Sequence, residues 1–196
     1  MIVLGHIFFD KNEDPHTAGA ALRDRMLLQL CGISEPEIRI ASGGKPYLAG
    51  RDDVFFSVSH SGTLAVCALS FPGIADADGF EVLCEDSAAP EIGADAEIVR
   101  DASHAPRLRR LAARFFSPDV AARLENLPDA AVPRAFCFHW TACESAVKMT
   151  GEGFGRGFSA LDFSTVSLRE RILRRGDEEY IVRAAWRNFC KQEDVR

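Results

Sequence analysis

No stretch of this sequence is apolar for the roughly 20 residues that a membrane-spanning helix needs. The opening Met1-Ile-Val-Leu-Gly-His-Ile-Phe-Phe lacks the basic flank and the length of a signal peptide, and reads as a buried first strand. A basic surplus is missing too. The chain has 23 Lys and Arg against 29 Asp and Glu, a formal net charge of -6. Nucleic acid is therefore not expected as a partner, since phosphate-backbone binders carry excess cations. The cysteines at 31, 67, 84, 137, 143 and 190 form no CxxC pair and no zinc-ligand spacing, so free thiols in a reducing cytoplasm are the expected setting. There is no Gly-x-x-x-x-Gly-Lys-Ser/Thr phosphate loop and no Gly-x-Ser-x-Gly elbow. Internal repeats and low-complexity tracts are also lacking.

What is present is an ordinary globular composition, 47% apolar and 27% charged over 196 residues. That is enough chain for one large domain or two small lobes. The patterning predicts strands over 3–9, 54–58, 64–69, 91–98, 161–168 and 179–185. A helix is expected over 17–30, with Ala18, Leu22, Met26 and Leu30 recurring at fours and Gly32 as its stop. Three more follow: one around Leu108 to Phe115, one opened by Ser117-Pro118-Asp119, and one from about Pro133 to Met149, ended by Gly151. Ser59-His60-Ser61-Gly62-Thr63 reads as a polar turn, and the acidic segment 74–91 as a surface hairpin or loop. The order is mixed α+β, with a lobe boundary near residue 90. Two basic runs, Arg100 to Arg114 and Arg169 to Arg175, read as solvated helix faces.

Three groups of residues could carry chemistry. In Gly93-Ala94-Asp95-Ala96-Glu97 the two carboxylates share one strand face, with Ile92, Ala94, Ala96 and Ile98 on the other. Either this is an amphipathic strand with a wet acidic face, or the carboxylates hold a hard divalent ion such as Mg²⁺ against phosphate oxygens. On the helix of 133–149, Phe136, Trp140, Cys143 and Val147 form an apolar stripe beside Glu144 and Lys148. Glu four residues before Lys is also a favoured surface pair. His60, with Ser59 and Ser61, could donate to a phosphate or be satisfied locally. Lys45-Pro46 is a basic residue at a rigid turn. The glycines at 151, 153, 155 and 157 follow a helix and read as its stop and a flexible turn.

The order of these blocks is more specific than any one of them. Lys45-Pro46, Phe56-Ser-Val-Ser59-His60-Ser61, Gly93-x-Asp95-x-Glu97, Arg114-Phe-Phe-Ser117 and Trp140-Thr-x-x-Glu144-x-x-x-Lys148-x-x-Gly151-x-Gly153 together resemble the 4′-phosphopantetheinyl transferases, in particular the larger, surfactin-synthetase-activating (Sfp-like) group. The resemblance runs from about residue 14 to 168. It implies an α+β pseudo-dimer of two similar lobes, 1–90 and 91–196, working as a cytoplasmic monomer with coenzyme A in the cleft between them. It further implies Asp95, Glu97 and Glu144 as ligands of Mg²⁺ or Mn²⁺, and Glu144, Lys148 and His60 as the catalytic set. Lys45, Pro46, Ser59, His60 and Lys148 would bind coenzyme A. The implied reaction moves the phosphopantetheine arm to a serine of an apo acyl or peptidyl carrier protein and releases 3′,5′-ADP. Cys143 stands where the family usually has Lys. It leaves open an alternative, a catalytically impaired relative that only binds coenzyme A.

Overall fold

The computed structural model describes residues 1–73, 75–85, 90–151, 158 and 161–187. The glycines at 153, 155 and 157 and the cysteine at 190 lie outside the described residues. In chain order the elements are β1 (Ile2–Phe8), α1 (Pro15–Cys31), β2 (Ile38–Ile40), β3 (Pro46–Leu48), β4 (Phe55–Ser61), β5 (Leu64–Ser70), β6 (Glu81–Cys84) and β7 (Ile92–Ile98). After them come α2 (Ala105–Phe115), α3 (Pro118–Glu125), α4 (Val132–Thr150), β8 (Val166–Arg175) and β9 (Glu178–Arg187).

Alternation along the strands explains the layering. In the first sheet, ordered β4-β5-β1-β6, Ile2, Leu4, Leu64 and Val66 face inward. They meet Ile92, Ala94, Ala96, Ile98, Tyr180 and Val182 from the second sheet, ordered β7-β9-β8. Such two-faced strands are what a sheet needs to be packed on both sides. The outer face of the first sheet, with Val3, Cys67 and Leu69, is covered by Leu22, Met26, Leu27 and Leu30 of α1. The second sheet is covered by α4, whose Phe136 and Val147 in turn anchor α2 and α3 through Ala112, Phe116 and Leu124.

Local chemistry sets the helix ends. Asp14 caps α1 by accepting from the Thr17 amide at 2.8 Å. Gly32 and Gly151 end α1 and α4 in the left-handed conformation, as their positions after the last periodic residues predict. Ser117 caps α3, followed by Pro118 at the first turn.

Several expectations need correction. Ser59-His60-Ser61 is not a turn but the end of β4, and the hairpin turn shrinks to Gly62-Thr63, with Gly62 at φ 57°. The serines stay in the strand because β7 gives their hydroxyls partners. Ala94 N and Ile98 N donate to Ser57 Oγ and Ser61 Oγ at 2.9 and 3.0 Å. The run 169–175 is not a helix face but strand β8. Its arginines reach acids and carbonyls of neighbouring segments: Arg171 pairs with Glu81, Arg174 with Glu179 at 2.7 Å, and Arg175 donates to the Phe9 carbonyl at 2.7 Å. That strand starts at Val166, not at Leu161, and the segment around Val82 is an edge strand paired to β1. The short β2–β3 hairpin was not anticipated for residues 38–40. Arg107, Arg110 and Arg114 do lie on the exposed face of α2.

One close approach positions the site. A Cβ built on Gly93 would collide with the Ser145 carbonyl oxygen and stand 2.5 Å from the Met149 amide nitrogen. Helix α4 therefore rests directly on the backbone of β7. Gly93→Ala is expected to destabilise the fold by about 1–3 kcal/mol, since neither backbone can yield cheaply. Urea denaturation measures this, and an unchanged midpoint would mean that the helix does not sit so close.

Candidate functional site

The contact at Gly93 sets two turns of α4 beside the carboxylate face of β7. Asp95 is not on a wet surface, since it is only 4% exposed. Its Oδ1 accepts from Ser59 Oγ at 2.8 Å and from Lys148 Nζ at 2.7 Å, while Lys148 Nζ also donates to Ser59 Oγ at 2.9 Å. The triad ties β4, β7 and α4 together. The expected surface pair of Glu144 with Lys148 does not form, because the lysine turns toward the less hydrated acid. Glu97 accepts from Ser61 Oγ at 3.0 Å.

Burial sets the electrostatics. Desolvation raises the Asp95 carboxyl, opposed by the Lys148 ammonium and the Ser59 hydroxyl. Burial and then the neighbouring Asp95 charge raise Glu97. Glu144 is pushed up to about 7, first by burial and next by repulsion from Asp95, with Lys148 offsetting part. His60 is lowered by burial, then by His16 and Lys148.

Two adjoining cavities form one cleft, sharing Pro46, Phe56, Val58 and Lys148. The first, of about 310 Å³, is lined by Gly43, Gly44, Lys45, Glu144 and Val147 among others. The second, of about 420 Å³, holds Ser59, His60, Asp95 and Glu97. All eight residues singled out from the sequence therefore line this cleft. Lys45 is engaged there with protein: its ammonium donates to the Met149 carbonyl at the end of α4 at 2.5 Å, and burial lowers its pKa. His16, Ala20 and Arg23 of α1 also line the second cavity and were not foreseen.

The donor set fits a hard cation. Asp95 Oδ2 is buried without a hydrogen-bond partner, and the carboxylates repel one another with one ammonium among them. Among the described residues no three His, Cys, Asp or Glu side chains cage an ion alone. Mg²⁺ needs no such cage, because phosphate oxygens and water complete its shell.

This pairing of a β7 carboxylate strand with an α4 acid and lysine lies within residues 91–193, which match the family model of the 4′-phosphopantetheinyl transferase superfamily. The chain belongs to this superfamily. Among relatives, it is 29% identical over 154 residues to the 4′-phosphopantetheinyl transferase HetI of Nostoc sp., covering 76% of this chain and 56% of HetI. It is 31% identical over 146 residues to slr0495 of Synechocystis sp., a candidate 4′-phosphopantetheinyl transferase, covering 73% of this chain and 51% of that protein. The chain thus spans about half the length of these relatives. No helix among the described residues is long and apolar enough to cross a membrane.

Cys143 stands where the resemblance led to an expectation of Lys, and its surroundings are those of a packed thiol. It lines an apolar cavity with Phe116, Val120, His139 and Phe163, on the α2–α3 side of α4, and burial pushes its thiol up to about 12. Cys143→Lys is expected to change kcat/KM by less than about tenfold, or roughly 1.4 kcal/mol. A hundredfold gain in a carrier-modification assay would show instead that position 143 reaches the ligand.

Proposed function

We propose that this protein transfers the 4′-phosphopantetheine arm of coenzyme A to a serine of an apo carrier protein and releases 3′,5′-ADP. We read residues 1–90 and 91–196 as the two lobes of a pseudo-dimer, acting as a cytoplasmic monomer. The observation that carries the reading is the cleft in which Asp95, Glu97 and Glu144 meet the Lys148–Asp95–Ser59 triad, a set of acids and one ammonium suited to a cation and a polyphosphate.

Asp95, Glu97 and Glu144 are the residues to hold Mg²⁺ or Mn²⁺ against the coenzyme's pyrophosphate. Bound there, the ion supplies neutralisation of phosphate charge, which is what phosphoryl transfer chiefly demands. Lys148 and His60 donate to phosphate oxygens, and Ser59 keeps the lysine aimed into the cleft. Lys45 and Pro46 border the half of the cleft that receives the nucleoside end. Glu144 takes the proton of the carrier serine as its oxygen bonds to the phosphorus bearing the pantetheine. The bond from that phosphorus to the oxygen bridging it to the nucleotide phosphate then breaks.

Incubation with coenzyme A, Mg²⁺ and a panel of apo-carriers should add one phosphopantetheine mass to a carrier. EDTA should abolish the gain, and Mg²⁺ or Mn²⁺ should restore it. Coenzyme A binding with no carrier modified would favour the impaired-relative reading. Cys143 was the ground for that reading, and its packing away from the cleft weakens it.

A further inference from the structure

Strands β4 and β7 are neighbouring edges of the two sheets, yet among the described residues no backbone ladder joins them. Serine side chains do so instead. Ser57, Ser59 and Ser61 alternate along β4, so all three point to β7. Ser57 Oγ accepts from the Ala94 amide at 2.9 Å, and Ser61 Oγ accepts from the Ile98 amide at 3.0 Å. These hydroxyls satisfy amides on the free edge of β7 that another strand would otherwise pair.

A hydroxyl has one proton to give, and the donor it accepts from decides where that proton can point. Ser61 accepts from a main-chain amide and donates to Glu97 Oε2 at 3.0 Å. Ser59 accepts from the Lys148 ammonium and donates to Asp95 Oδ1 at 2.8 Å. Each serine therefore holds one oxygen of a carboxylate and leaves the other. Asp95 Oδ2 is buried without a partner, and Glu97 Oε1 makes no hydrogen bond among the described residues. Ser57 differs from both. It caps an amide as Ser61 does, but bonds to no acid among the described residues. The donor that fixes Ser61 belongs to the backbone of β7, which cannot swing away as the Lys148 side chain can.

We propose that Ser61 is a positioning residue for the cation site: fixed by the Ile98 amide, its hydroxyl holds the Glu97 carboxylate by one oxygen and leaves the other for a divalent ion. The ion's place there rests on the transferase reading above. Ser61 acts through Glu97 and not by contact with the ion. A carboxylate on a rotating side chain loses freedom when it binds, and a preset hydrogen bond removes part of that loss beforehand. Outer hydrogen bonds to metal-ligating carboxylates are worth about 10–100-fold in metal affinity.

Titration with Mn²⁺, followed by the paramagnetic resonance signal of the free ion, tests this without turnover. Ser61→Ala should bind Mn²⁺ about tenfold more weakly than the parent, and should need about tenfold more Mg²⁺ for half-maximal carrier modification. Ser61→Thr keeps the hydroxyl and should stay within about twofold of the parent. Ser57→Ala is the decisive comparison, because it too removes an amide acceptor. Its urea midpoint should fall as that of Ser61→Ala does, while its Mn²⁺ affinity stays within about twofold of the parent. Where Ser61→Ala fails to fold, Ser61→Cys fills the same space with a weaker donor and should weaken Mn²⁺ binding in the same direction. Equal losses of affinity at Ser57 and Ser61, or none at Ser61, overturn the positioning role and leave the transferase reading standing. A parent protein that binds no Mn²⁺, with or without coenzyme A, removes the cation reading and this role with it.

Discussion

Glu144→Gln is expected to slow carrier modification by about 10²-fold or more, while making the ligand-free protein more stable at pH 8. Both effects come from the same burial. Glutamine keeps the shape of the side chain but can neither accept the serine proton nor hold a cation. In the folded protein the carboxyl titrates at about 7, against an ordinary value of 4.5. A carboxyl raised in the folded state favours folding in its protonated form. The cost of its charge is thus absent below about pH 4.5, develops as the pH rises toward 7, and is complete above. Glu144 is only half-buried, so solvent screening leaves about 1 kcal/mol of this cost. In a chain of this size that is roughly 2–4 °C in Tm. The variant's Tm gain should be present at pH 8 in EDTA and vanish at pH 4.5. A gain of equal size at both pH values would attribute it to packing and not to charge.

How much of this was legible in the sequence depends on the range of the interaction involved. Helix ends are local, and Gly32, Ser117 and Gly151 announced theirs, whereas the first helix starts at Pro15 behind an Asp14 cap, two residues before the expected Thr17. The alternation of Ile92, Ala94, Ala96 and Ile98 against Asp95 and Glu97 is local as well, and it set both faces of β7. Partner choice across elements is not local. Glu144 and Lys148 at i and i+4 describe a helix pair, and nothing in α4 reveals that Asp95 outcompetes Glu144 for the ammonium. The Ser59-His60-Ser61 block looks like a turn because its hydroxyls have no partner within their own segment, and β7 supplies the partners from 36 or 37 positions away. Arg23 fell on a helix read only for its apolar face, and His16 lay just before that helix's expected start. That His16, Ala20 and Arg23 share one face, and that this face borders a cavity, followed only from the earlier helix start and the packing of α1 on β4. The collision at Gly93 is of the same kind. A glycine in a strand signals close approach of something, and only the fold shows that it is the backbone of α4.

Asp95 should separate scaffold from chemistry, because its two substitutions differ in one and agree in the other. Asp95→Ala removes the acceptor shared by Ser59 and Lys148 and leaves a gap in a dry region. Removing one partner of a buried hydrogen-bonded set costs about 1–3 kcal/mol. Lys148, whose side chain is 32% exposed, can partly regain water, which argues for the lower half of that range. Asp95→Asn keeps an oxygen for both donors and removes a carboxylate whose burial opposes its charge. Its amide nitrogen then takes the place of Oδ2, which has no partner in the parent. The asparagine variant should therefore unfold within about 1 kcal/mol of the parent, on the scale of one net hydrogen bond. Both variants should nevertheless lose about 10²-fold or more in turnover, the scale for loss of a metal ligand. Urea denaturation in EDTA gives the stabilities, and mass-resolved carrier modification gives the rates. Near-normal turnover in Asp95→Asn would reduce Asp95 to the anchor that aims Lys148, since that function survives in the amide. A rate loss confined to Asp95→Ala would say the same. Equal rate losses with unequal stabilities are the pattern that a ligand of the reactive centre requires.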